Sequence, residues 1–297
     1  MRIAALDIGG TAVKSGIWNG ETLEDLQEWD TNASEGGARL MERIKDILQG
    51  CGQFDAIGVS TAGEVDTRKG SIHYANENIP GYTGMPVKEI LEKAFGVPAA
   101  VENDVNAAAL GEMYAGAARG LSDFLCLTYG TGVGGAIVTG GKVQQGSSYA
   151  GGSFGGILVH PEDRRPGEVW SGCYEKYAST GALVRRMQAV DPELDSGRKI
   201  FSVIERDDVR KTVDKWIDEV VFGLVTLIHI FNPSDVLLGG GILAQPYVLE
   251  EIRRKVLLWT APNMRHVRLR RTSLGNRAGL MGAVSLAVRR LEQSRDR

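Results

Sequence analysis

The sequence predicts an α/β protein of two domains, and three observations carry that prediction. A chain of 297 residues holds two domains at roughly 150 residues each. A strand, a glycine turn and a second strand open the chain, and the same unit recurs near residue 123. One supersecondary unit at the start of each expected half marks two related α/β halves.

The elements follow in order. Arg2–Leu6 is an apolar strand, Asp7-Ile8-Gly9-Gly10-Thr11 its turn, and the run through Val13, Ile17 and Trp18 the returning strand. Strand, glycine turn, strand is a hairpin signature. Ala56–Ser60 reads as a short buried strand, Pro86–Phe95 as an amphipathic helix, and Ala99–Val101 as a strand ending at Glu102-Asn103-Asp104. Ala107–Ala118 is an alanine-rich helix closed by Arg119-Gly120. The second hairpin runs from Phe124–Thr128 through Gly130-Thr131-Gly132-Val133-Gly134-Gly135 to Ala136–Val138, with a turn at Gly140-Gly141. A helix around Val209–Phe231 follows, its stretch Val220–Phe231 reading as buried core. Val236–Leu238 is a strand before Gly239-Gly240-Gly241, Gln245–Leu258 a helix, and the last helix runs from Leu280 to about Leu291. The tail Gln293–Arg297 is expected to fray. The expected division is a small α/β domain over 1–118 and a larger one over 119–297, with the last helix, 280–292, packing back on the first.

Composition narrows the function classes. Lys and Arg number 34 against 37 Asp and Glu, which argues against a nucleic-acid footprint or a polybasic membrane patch. The greasiest stretch is too short to span a bilayer, and the N-terminal apolar run stops at Asp7, so no signal peptide is read. Three cysteines, Cys51, Cys126 and Cys173, form no CxxC; a reduced, cytoplasmic compartment is the expectation. The 39 glycines are about 13% of the chain, against a usual value near 7%. Such excess without a period implies tight turns or backbone brought close to a ligand.

Each motif has two readings on its own. Gly130, Gly132 and Gly135 satisfy GxGxxG, but a strand follows where a dinucleotide site needs a helix, and no acidic residue occurs between Asp123 and Glu162. A nicotinamide-dependent oxidoreductase is therefore disfavoured. The turn is either ligand-free or a nest of backbone N–H groups suited to phosphate oxygens. Asp7, Gly9, Gly10, Thr11 and Lys14 form no P-loop, since no glycine precedes Lys14 and no helix follows. They are a plain turn, or an acid and a hydroxyl facing a magnesium-bound phosphate chain. Asn103-Asp104 is either a helix cap or a general base at a strand end. Gly239-Gly240-Gly241 is a strand-to-helix turn or bare backbone for a flat ligand. Together, four such turns are the parts of a two-domain phosphotransferase.

The combination resembles the ROK family of sugar kinases, within the class that shares the actin and hexokinase (ribonuclease H-like) ATPase fold. The resemblance runs from Ile3 to about Ala287. Asp7-Ile8-Gly9-Gly10-Thr11 with Lys14 matches the first phosphate motif, and Gly130-Thr131-Gly132-Val133-Gly134-Gly135 the second. Asn78-Ile79-Pro80-Gly81-Tyr82 looks like the sugar-side loop, usually written with Trp where Tyr82 stands. Glu102-Asn103-Asp104-Val105-Asn106-Ala107 matches the catalytic segment, Leu238-Gly239-Gly240-Gly241 the adenosine-side turn, and Leu274 to Leu280 the lead-in to the last helix. Family repressors add a DNA-binding helix-turn-helix before the first motif. With that motif at Asp7, no such segment and no nucleic-acid partner is expected.

The resemblance implies transfer of the ATP γ-phosphoryl group to a sugar hydroxyl, usually on C6. Asp104 would accept the hydroxyl proton, its helix-start position keeping it ionised. Gly9, Gly10, Thr11 and Lys14, with Gly130, Thr131, Gly132 and Gly134, would grip the phosphates from opposite domains, and Gly239, Gly240 and Gly241 the adenosine side. Asp7 would order Mg²⁺ through water. Asn78, Asn103, Ser153 and Glu175 would hold the sugar. Homodimers are common among relatives.

The departures concern one wall of the sugar site. Members commonly bind zinc through one His and three Cys. Aligned on Gly152, Gly155, Gly172 and Cys173, the His position is Gly156, and two Cys positions are Pro166 and Glu168. One ligand in four holds no tetrahedral zinc, so none is expected. Packing by Tyr149, Phe154 and Trp170 is expected to replace it, with His160 an ordinary loop histidine. The family's sugar-binding Glu falls on Ser153 and its sugar-contacting His on Gly156, while a second Glu is kept at Glu175. Losing charged partners costs about 1.5–3 kcal/mol each for a plain hexose and creates space. The implied acceptor carries a substituent near its anomeric end, as a glycoside or N-acetylhexosamine does. A catalytically idle sugar sensor is the competing reading, opposed by retention of Asp104 and both phosphate motifs.

Overall fold

The computed structural model describes residues 1–295. In the first part of the chain, β1 (Ile3–Ile8), β2 (Ala12–Trp18), β3 (Leu23–Asp30), α1 (Gly36–Gln49), β4 (Ala56–Thr61), β5 (Glu64–Asp66), β6 (Ser71–Tyr74), α2 (Val87–Phe95), β7 (Ala99–Asn103) and α3 (Asp104–Ala115) follow one another. Their main sheet has the order β3-β2-β1-β4-β7, the hairpin antiparallel and β1, β4 and β7 parallel. The later part holds β8 (Phe124–Tyr129), β9 (Val133–Thr139), β10 (Lys142–Val143), α4 (Tyr174–Ala178), α5 (Thr180–Gln188), α6 (Gly197–Ser202), α7 (Asp207–Phe231), β11 (Asp235–Gly239), α8 (Pro246–Trp259) and β12 (Arg268–Arg271), before α9 (Ala278–Arg295). Its sheet repeats the pattern as β10-β9-β8-β11-β12.

Two compact units result. One comprises residues up to Leu121, Gln145–Gly151 and the chain from Ser273 on; the other comprises Ser122–Gln144 and Gly152–Thr272. Compared with a single cut at 118/119, the short segment Gln145–Gly151 joins the first unit.

Strand alternation builds the first core. Ala4, Leu6 and Ile8 of β1 face the cluster holding Leu40 and Ile44 of α1 and Leu91 of α2. Ile3 and Ala5 face Leu280, Ala283 and Val284 of α9, as a period of two demands. Helix α9 lies very close. An added Cβ on Gly58 would stand 1.9 Å from the Ala283 carbonyl oxygen, and one on Gly282 would stand 1.8 Å from that of Ala107. The second core gathers Leu125, Leu127, Val236 and Leu238 against Val220 and Leu224 of α7 and Ile252 of α8.

Several boundaries and burials differ from the sequence reading. Leu23–Asp30 and Gly36–Gln49 carried no assigned element. The strand is an exposed, charged edge without an apolar face, the form that edges take to avoid further pairing. Helix α3 starts at Asp104, three residues early, because the Asn103 side chain accepts from Val105 N and Asn106 N. Val220–Phe231 is not wholly buried: Phe222, Ile230 and Phe231 are exposed on α7. Of the tail expected to fray, Gln293–Arg295 is helical, and residues 296 and 297 lie outside the described residues. Among the described residues no helix is long and apolar enough to cross a membrane.

Candidate active site

The first unit gathers two carboxylates at neighbouring strand ends. Asp7 is near the end of β1, where its Oδ1 accepts the Ser60 hydroxyl at 2.6 Å and Lys14 stands opposite it in register. An added Cβ on Gly279 would be 2.6 Å from the Asp7 carboxylate, so the first turn of α9 must be bare there. Beyond Asp7 the chain turns at Gly9-Gly10. Gly9 N donates to Ala12 O, the Thr31 hydroxyl donates to Gly9 O at 2.7 Å, and Gly10 and Thr11 are exposed with open space at Gly10.

Asp104 opens α3 at the end of β7. Its Oδ1 accepts Val105 N and Asn103 Nδ2, both at 2.9 Å. The helix cap is Asn103, not Asp104. Asn103 Oδ1 caps two N–H groups while Nδ2 donates to Gly63 O and Asp104, so its hydrogen-bonding capacity is filled within the protein. Desolvation, and then the Asp7 charge, push the Asp104 carboxyl up to about 6. The helix start does not outweigh these two effects. Desolvation also raises Asp7, with Ser60 and Lys14 opposing.

The floor beneath is Glu102, buried and pushed up to about 6 by desolvation. It accepts Asn103 N at 2.8 Å, Asn106 Nδ2 at 3.1 Å and Gln145 Nε2 at 2.9 Å; Gln145 in turn accepts from Thr67. The loop carrying the exposed Asn78 is fixed by Tyr82, fully buried with its hydroxyl 2.8 Å from that of Thr61. Gly36 and Gly37 at the start of α1 leave room for this loop, Gly37 N donating to Pro80 O.

In the second unit the Gly130–Gly135 turn joins β8 to β9. Gly130 N donates to Gly132 O, and Gly130 and Thr131 are exposed. Glu175 reaches this turn because Tyr174 is locked: its hydroxyl donates to Val220 O at 2.6 Å, sits 2.8 Å from that of Tyr129, and its ring fills the space at Gly223. Glu175 Oε2 accepts Val133 N at 3.1 Å, and a Cβ on Gly132 would meet that carboxylate at 2.3 Å. Gly135 is bare for packing, against Phe154 and Gly152 O. Ser153 and Gly156 are exposed. Gly240, at φ +116°, abuts the Tyr129 backbone between Gly239 of β11 and the open Gly241.

The packing expected in place of zinc is not formed by the predicted trio. The buried Phe154 meets the exposed Phe231 of α7, Trp170 is half-exposed against Gly156, and Tyr149 pairs with His73 and bonds Asp66 in the first unit. His160 is more than a loop residue. Its Nδ1 and Nε2 lie 2.9 and 2.8 Å from Glu162 and Glu219, and its ring lies on Tyr177. These carboxylates raise its pKa against desolvation. Among the described residues no three His, Cys, Asp or Glu side chains are grouped to hold a metal.

The structure thus brings Asp7, Lys14, Asn103 and Asp104 together in one unit and Gly132 and Glu175 together in the other. Ser60, Glu102, Gln145 and Gly279 shape the first group, and sequence reading assigned none of them a role. Glu102 sat within the quoted catalytic segment and Gly279 within the lead-in to the last helix; Ser60 and Gln145 carry no local signal.

The ROK family model matches residues 3–290. The chain belongs to the ROK family. A β-glucoside kinase of Listeria monocytogenes is 32% identical over 96% of this chain and 96% of its own. The crystal structure of a ROK hexokinase from Thermus thermophilus, 32% identical, superposes at a TM-score of 0.84 over 99% of this chain and 100% of that one. A Streptomyces griseus ROK family glucokinase solved with glucose and AMPPNP, 31% identical, gives 0.82 over 97% and 100%. The fold is accordingly the actin/hexokinase-like ATPase fold of these ROK enzymes.

Proposed function

We propose that this ROK kinase transfers the γ-phosphoryl group of ATP to the C6 hydroxyl of a hexose substituted at its anomeric end, a β-glucoside above all, with Asp104 as general base. The observation that carries this reading is the Asp104 carboxyl, pushed up to about 6 beside Asp7. A group so placed is ionised at neutral pH yet basic enough to take a hydroxyl proton. As the sugar oxygen bonds to the γ-phosphorus, its proton passes to Asp104 and the bond to the β-phosphate oxygen breaks, leaving ADP. Asn103 holds Asp104 in place, and takes a sugar hydroxyl only by giving up a present bond. Asn78, Ser153 and Glu175 hold further hydroxyls.

The exposed Gly10 and Thr11, with Lys14, and the exposed Thr131 of the second turn present the backbone N–H groups that hold phosphate oxygens, Gly9 N and Gly130 N being bonded within their turns, and Gly239–Gly241 flank the adenosine. Asp7 suits Mg²⁺ because the donors there are hard oxygens, a carboxylate fixed by Ser60 with no Cβ opposite. The bound ion supplies neutralisation of phosphate charge. Asp7 would hold it through water.

NMR of the product formed from methyl β-D-glucoside and ATP tests the reading: a 6-phosphate supports it, and phosphate at another position or none refutes it. Glycosides and N-acetylhexosamines are expected to exceed glucose in kcat/KM; glucose ahead of all of them would refute the substituted-acceptor part. The pH profile has a fixed sign. Asp104 works deprotonated, so kcat/KM should be level above about pH 7 and fall with at least unit slope below about 6. A flat profile down to pH 5 would remove Asp104 as the base.

A further inference from the structure

Trp170 has an indole that is 47% exposed, on a loop whose residues 161–170 are all solvent-facing. Exposed apolar rings on mobile loops are common, but this one is held. Arg164 donates to the carbonyls on both sides of it, Val169 O at 2.7 Å and Ser171 O at 3.0 Å. Arg165 N donates to the Ser171 hydroxyl, which donates to Glu168 O. The loop base is tied by Val159 N and His160 N to Gly172 O, by Cys173 N to Trp170 O, and by His160 to Glu219 of α7. The ring edge stands 3.4 Å from where a Gly156 Cβ would be, and apart from the adjoining residues of the chain nothing else lies within 4 Å of that position. Gly155, the next residue back, lies against Glu175, the carboxylate on the glycine turn. A half-solvated indole on a hydrogen-bonded loop backbone, its edge against a bare backbone step, has the properties of a preformed contact surface, since the ordering entropy of that backbone is already spent.

We infer that Trp170 is a specificity-determining residue that stacks a planar apolar aglycone, so that the preferred acceptors are aryl glycosides. The inference rests on the glycoside kinase reading above and adds the chemistry of the substituent. Gly156 is the bare backbone on which the indole edge rests, leaving the ring's solvated part for the aglycone, and the Arg164 bonds to the flanking carbonyls fix the backbone that carries the ring.

The test compares phenyl β-D-glucoside with methyl β-D-glucoside at saturating ATP. In the wild type the phenyl-to-methyl ratio of kcat/KM should be about tenfold, the size of one aromatic contact plus its burial. Trp170→Ala should bring the ratio close to one, Trp170→Phe should keep most of it, and Gly156→His should lower it by displacing the indole that rests on Gly156. Thermal unfolding accompanies each variant. If Trp170→Ala fails to fold, the wild-type ratio and Gly156→His decide. A wild-type ratio near one, or a ratio unmoved in folded Trp170→Ala, overturns the inference and leaves the kinase reading intact. Absence of phosphorylation of any acceptor overturns both.

Discussion

Asp104→Asn is expected to lower kcat by about 10²–10⁴-fold, the usual worth of a positioned base, with ATP affinity within about twofold of wild type by calorimetry. The same variant should unfold at a higher temperature at pH 8. The Asp104 pKa in the folded protein, about 6, lies above its ordinary 3.8. The folded state therefore favours the neutral form, and stability relative to a neutral isostere is lost as pH rises through about 6. Removing the charge recovers on the order of 1–3 kcal/mol at pH 8. That gain should shrink as pH falls from 7 to 4. Asn103 supplies the helix cap, so no cap is lost. A variant with near-normal turnover would remove Asp104 from the chemistry; one that is slow but less stable at pH 8 would contradict the burial argument.

Gly282→Ala should be the most damaging small change in the first unit. Its Cβ would stand 1.8 Å from Ala107 O and 2.4 Å from Ala107 C. No flexible side chain can yield there; α9 must move off α3. Overpacking of a core costs about 1–3 kcal/mol and occasionally more, and two backbones meeting head-on belong at the upper end. A fall in Tm of roughly 6–12 °C is expected at about 2–4 °C per kcal/mol. Activity should fall as well, since Gly279, one turn earlier, lies against the Asp7 carboxylate. Gly197→Ala, where an added Cβ meets nothing within 4 Å, should leave Tm unchanged. Equal melting of the two variants would refute the tight α3–α9 packing.

The parts of this protein legible in its sequence are those with a local cause. Both hairpins were readable because alternating apolar strands flank glycine turns. Asp104 was readable because it ends a buried strand and begins a helix. What escaped needs partners distant in sequence. Edge strand β3 half-buries only Leu23 and Trp29 and leaves its other residues exposed, so it has no alternation to read. Ser60 bonds Asp7 from 53 residues away, and Gln145 reaches Glu102 across 43. Asn103, read as a sugar ligand, also caps α3 and holds Asp104, bonds that its sequence position alone does not give. Around the missing zinc ligands, the sequence offered aromatic rings as the replacement. The hydrogen-bonded pair of His160 and Glu219 ties the loop instead, and Glu219 lies 59 residues further on in α7.

The most direct measurement of the central claim is ADP release in a coupled assay, run with and without each sugar of a glycoside, N-acetylhexosamine and hexose panel. ADP formation that requires a sugar, matches the phosphosugar formed mole for mole, and vanishes in Asp104→Asn is the predicted result. ADP formation that proceeds equally without any sugar, or that Asp104→Asn sustains at the wild-type rate, would contradict it.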